Sequence, residues 1–131
     1  MGRGHVRQFP ISDVVAYLQR VKGLIENGSI VMLSTHKNRV TSAKLGLKYS
    51  HQLDILRALT PQNYYRTYDP SEDEPDEAWA FGVREQSIDI YIKFVIEERT
   101  DTHDMAVCIS FHEAEFPLHY PYSVMEGQEE E

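Results

Sequence analysis

The side chains with most chemical potential fall on two alternating stretches near the end of the chain. In Ile88-Asp89-Ile90-Tyr91-Ile92-Lys93-Phe94-Val95-Ile96-Glu97 the even-numbered residues are apolar, so Tyr91 and Lys93 share the opposite face of one strand. A second apolar run, Met105 to Phe111, reads as a strand with Val107, Ile109 and Phe111 on its core side. Its other side then carries Ala106, Cys108, Ser110 and His112. A hairpin that matches core to core sets Tyr91 opposite Ser110 or His112, and so gathers Tyr91, Lys93 and His112 above small residues.

Such a group suits cleavage of RNA by attack of a ribose 2′-OH on the adjacent phosphate. That reaction needs a base for the 2′-OH, an acid for the departing 5′-oxygen and cations for the phosphorane charge, and it needs no metal. Histidine titrates near neutrality and serves as either acid or base. Lys93 and Arg66 are candidate phosphate holders, Arg66 in a bidentate fork. Tyr91 is a candidate proton donor or stacking platform, and Tyr64, Tyr65 and Tyr68 offer further rings for bases. The same residues on an exposed sheet face also occur in proteins without activity, and the tyrosines also suit core packing.

The elements that position these groups read as helices first and strands last. Val14, Leu18, Val21 and Ile25 recur at helical spacing, with Ser12 expected as the cap and Asn27-Gly28 as the stop. Ser29 to Ser34 is a short β-type run. Thr35 is placed to cap a second helix that ends near Gly46, and Ser50 a third that carries Leu53, Leu56 and Leu59. Thr60-Pro61 opens a further helical turn leading into Tyr64 to Tyr68. Asp69 to Glu77 is an acidic loop with two prolines, and a strand begins near Trp79. The order predicts an α+β fold with N-terminal helices packed on a C-terminal antiparallel sheet.

Composition narrows the function. The chain of 131 residues suits one domain, and its apolar runs are too short to span a membrane. Its one cysteine, Cys108, lies in an apolar run, and the N-terminus lacks a signal-peptide core, which together point to the cytoplasm. The net charge of −8 argues against a nucleic-acid partner until it is divided. Residues 1–66 hold ten Lys/Arg and three Asp/Glu, whereas residues 67–131 hold three and eighteen. The basic half leaves room for a phosphate-binding surface. The six histidines (His5, His36, His51, His103, His112, His119) show no metal-ligand spacing, so no metal or other cofactor is expected.

The order of these segments resembles the motility quorum-sensing regulator (MqsR) family of toxins. The resemblance lies in Val21-Lys22-Gly23-Leu24-Ile25-Glu26-Asn27-Gly28, Leu45-Gly46-Leu47, Leu59 to Tyr68 with Tyr65-Arg66 at its centre, and Trp79. It continues in Tyr91-Ile92-Lys93 and in His103-Asp104 followed by Val107 to Phe111. It implies a RelE-like fold over residues 12–118, between a flexible segment, residues 1–11, and an acidic tail, residues 119–131. It further implies a metal-independent endoribonuclease that cuts mRNA. The implied partner is a cognate antitoxin of helix-turn-helix type, through which operator DNA is bound. In the family basic residues sit where Arg66 and His112 stand and a tyrosine where Tyr91 stands, with Lys93 in the same motif, so the resemblance implies these four as catalytic residues. Arg66 and His112 replace the usual lysines, and Ala80 replaces a glutamine. A binding module on the same fold, with the acidic half docking a basic protein, and a nucleic-acid-binding regulator without cleavage are the competing readings.

Overall fold

The computed structural model describes residues 5–98 and 103–123. The elements run β1 (Val6–Arg7), α1 (Ile11–Glu26), β2 (Ile30–Met32), α2 (His36–Leu45), α3 (Tyr49–Arg57), a 3₁₀ turn (Pro61–Asn63), β3 (Tyr64–Tyr68), β4 (Ala78–Glu85), β5 (Ile88–Glu97) and β6 (Met105–Glu113). The strands form one six-stranded sheet in the order β1-β3-β4-β5-β6-β2. All pairs are antiparallel except β2 with β6. The fold is α+β, as the sequence predicts, with its helices against one sheet face.

The apolar stripe of α1 is the main adhesive. Val14, Leu18, Val21 and Ile25 are all buried, in one cluster with Trp79, Phe81, Ile90, Ile92, Phe94 and Phe111. Each such side chain contributes about 1.5–3 kcal/mol when fully buried. The Tyr17 ring stacks on Trp79 at 4.1 Å between centroids and ties α1 to β4. The helix starts one residue before the expected cap. Ile11 is its first residue, and the Pro10 carbonyl accepts from Asp13 and Val14, so Ser12 lies inside the first turn.

α2 begins and ends as expected: the Thr35 side chain accepts from the Asn38 backbone N–H, and Gly46 closes the helix at φ 68°. α3 follows Lys48 rather than Ser50, which lies one residue inside it. Leu59 falls beyond its end, yet is fully buried.

β4 and β5 are joined by Gln86 and Ser87, both with positive φ, a two-residue turn that suits the strand twist. Within the segment expected as a flexible lead-in, Val6 and Arg7 pair with Tyr68 and Thr67. After Phe116 the chain crosses the sheet as a strap. Gly82 permits this: a Cβ there would lie 2.5 Å from Leu118 Cδ1 and closer still to the Tyr120 hydroxyl. Tyr122 ends the strap, donating to the Phe9 carbonyl and stacking against Tyr64. The acidic residues 126–131 and most of the expected turn between β5 and β6 lie outside the described residues.

Candidate active site

The face of the sheet away from the helices carries the site, and a β-bulge in β6 decides what β6 adds to it. Ile92 faces Phe111 and Lys93 faces Ser110, but the next pair is Phe94 with Cys108. Ile109 is thus the extra residue, and the side-chain alternation changes phase across it. Ser110 and His112 point to the open face as expected. Ala106 and Cys108 do not: both join the core under the helices. Val107 and Ile109, expected in that core, instead pack on the open face with Ala78 and Val95. An unbroken alternation cannot satisfy both halves of this strand.

The bulge is held by a buried amide. Asn38, 3% exposed, donates from Nδ2 to the carbonyls of Leu33 at 2.9 Å and Ile109 at 3.0 Å. Its Oδ1 accepts from the Phe111 N–H at 2.9 Å. One turn along α2, Thr41 Oγ1 accepts from the Glu113 N–H at 2.8 Å. The β6 groups at and beyond the bulge therefore find partners on α2 rather than being left buried and unpaired.

Above the bulge, the registers place Gly82, Tyr91 and His112 in one cross-strand row and Arg66, Ala80, Lys93 and Ser110 in the next. Tyr68, Tyr91, Lys93 and His112 line one cleft of about 520 Å³. Tyr91 is buried, and its hydroxyl donates to the Tyr68 hydroxyl at 3.2 Å. Burial first, then that hydrogen bond, raises its pKa well beyond the usual tyrosine value, so Tyr91 stays neutral. The Lys93 ammonium lies 5.6 Å from the centre of the Tyr68 ring. His112 Nδ1 contacts the Glu113 carbonyl at 3.0 Å; since the carbonyl only accepts, Nδ1 carries the hydrogen. In neutral His112, Nε2 is then left as the basic nitrogen.

Arg66 is brought to the same face but not into this cleft. Its guanidinium lies over the Tyr65 ring at 4.2 Å, and both line a neighbouring cleft. Tyr65, Tyr91 and Phe116 meet ring to ring and form the ridge between the two clefts. Tyr64 is the exception among the residues expected to meet RNA. It is fully buried on the helix side, accepts from the Phe9 N–H at 3.1 Å and bonds Thr67 Oγ1 at 2.7 Å. It therefore presents no ring face to a base.

The sequence reading missed several residues of the cleft. Lys37 reaches it from α2, paired with Glu115 at 2.8 Å, and holds the Glu115 carboxyl below the usual carboxylate range. Asp73 and Glu74 reach it from the acidic loop. Nothing in the spacing of these three points to the face, because tertiary folding alone brings them there. Among the described residues no group of three or more His, Cys, Asp or Glu is arranged to hold a metal. No helix among them is long and apolar enough to cross a membrane.

Helices packed on a mostly antiparallel sheet, with an aromatic cleft lined by charges of both signs on its open face, define a small α+β domain. The family described as motility quorum-sensing regulator, toxin of MqsA, matches residues 15–113, and the chain belongs to it. Membership makes the chain a toxin of a toxin–antitoxin system. No curated protein matches the chain.

Proposed function

We propose that this toxin is a metal-independent endoribonuclease that cleaves mRNA in the cytoplasm by 2′-OH attack on the adjacent phosphate. The observation that carries the reading is the convergence of Tyr68, Tyr91, Lys93 and His112 on one cleft of the open face. His112 Nε2 takes the 2′-OH proton as the 2′-oxygen–phosphorus bond forms. Lys93 stabilises the phosphorane charge. As the bond from phosphorus to the 5′-oxygen breaks, Tyr68 gives that oxygen its proton. The resulting phenolate is held by the Tyr91 hydroxyl and the nearby Lys93 ammonium. Tyr91 thus orients the acid rather than acting as one, and Arg66 holds a phosphate beside the cleaved one. The family's description as toxin of MqsA supports an antitoxin partner; in this reading that antitoxin is of helix-turn-helix type, neutralises the chain and carries it to operator DNA.

The test is incubation with long single-stranded RNA in EDTA, with mapping of the cut ends. Discrete cuts bearing 2′,3′-cyclic phosphates are expected, and His112→Ala should slow them by about a hundredfold or more. Intact RNA, with and without ribosomes, would count against the reading. It would favour a non-catalytic partner-binding module, which Asp73 and Glu74 support by lining the cleft with negative charge.

A further inference from the structure

The neighbouring cleft, of about 720 Å³, lies on the far side of the Tyr65 ridge and is lined by Tyr65, Arg66, His119 and Tyr120. We propose that it is a second nucleotide subsite, which takes the nucleotide flanking the cut one and is completed by the strap, residues 118–123. The inference rests on the ribonuclease reading and extends it.

Four observations carry it. The volume is ample for one nucleotide, within the usual several-hundred Å³ range of small-ligand sites. Arg66 sits over the Tyr65 ring and makes no ion pair among the described residues, so its fork is open to a phosphate. Arg7, which also lines the cleft, is already paired with Asp69 at 2.6 Å and Glu77 at 3.1 Å. The two clefts differ in their acidic lining: Asp73, Glu74 and Glu115 border the reaction cleft beside Lys37 and Lys93, whereas among the described residues no carboxylate lines this one, which carries Arg66 and the exposed His119. A polyanionic strand leaving the reaction cleft past Asp73 and Glu74 would meet repulsion, whereas one leaving past Arg66 meets a cation and no carboxylate. The strap is also a fixed wall, seated on Gly82 and anchored through Tyr122. It lies beyond residues 15–113, so the family match does not account for it.

The test is fluorescence anisotropy of the full chain with RNA in which 2′-deoxy substitution prevents cleavage, comparing a trinucleotide with a hexanucleotide. One added phosphate contact and base stack should make the longer strand bind about tenfold tighter to the unaltered protein. His119→Ala, which removes an exposed side chain, should reduce that gain to about threefold. Gly82→Val, which drives Leu118 and Tyr120 off the sheet, should abolish it. A gain that stays near tenfold in His119→Ala overturns the subsite, whatever Gly82→Val does. Failure of the unaltered protein to bind either length overturns the ribonuclease reading and the subsite with it.

Discussion

α1, packed on one face of the sheet, and α2, bonded to the backbone edge of β6, are attached by opposite means. α1 buries four aliphatic side chains, packs the half-buried Tyr17 ring on Trp79 and, among the described residues, makes no buried polar bond to the strands. α2 places two polar residues, Asn38 and Thr41, at the interface beside Leu45 and reaches β6 through their hydrogen bonds. The apolar attachment is strong and tolerant of small shifts, because burial has no direction. The polar attachment is weaker in total but fixes β6 atom by atom, because hydrogen bonds lose strength quickly with angle and distance. The first makes the domain stable; the second sets the phase of the strand that carries His112.

Four substitutions separate these roles. Leu18→Ala should cost about 2–5 kcal/mol in denaturant unfolding while cleavage per folded molecule stays unchanged. A comparable loss of cleavage would show that α1 also tunes the site. Asn38→Ala should cost less, about 2–3 kcal/mol for the stranded backbone groups, but should also cut RNA cleavage at least tenfold. Full activity in the folded variant would break the link between the bulge and the site. Thr41→Val should cost about 1 kcal/mol by thermal unfolding, with a small loss of activity. Tyr17→Phe is the smallest and of opposite sign. The Tyr17 hydroxyl is buried without a hydrogen-bond partner among the described residues, so its removal should leave stability unchanged or raise it by up to about 1 kcal/mol. A loss of stability would show that this hydroxyl has a partner after all.

The same contrast explains what could be read from the sequence. The spacing of Val14, Leu18, Val21 and Ile25 names a buried helix face, and the alternation around Tyr91 and Lys93 names both faces of β5. Thr35 and Gly46 mark the ends of α2 because caps are local chemistry. Asn38 carries no comparable mark, since an asparagine inside a helix looks solvent-facing until β6 supplies its partners. The bulge at Ile109 is hidden for the same reason, and with it the true faces of Ala106, Cys108 and Val107. Tyr64 and Tyr65 illustrate the limit for aromatics. They are adjacent and alike, yet ordinary alternation sends one into the core and the other to the open face, while the irregular pairing between Tyr64 and Arg66 brings Arg66 to that open face too.

The parallel pairing of β2 with β6 bears on when the toxin becomes dangerous to the cell that makes it. Ile30, Val31 and Met32 align with Ala106, Val107 and Cys108, so an early segment waits for the last strand before it has a place in the sheet. The same last strand supplies His112 and the groups that Asn38 holds. A nascent chain that has not yet released β6 from the ribosome has neither a closed sheet edge nor an assembled cleft. On the ribonuclease reading the cleft is therefore incomplete during synthesis, and an antitoxin has the interval after release, while these distant segments find one another, in which to meet the toxin.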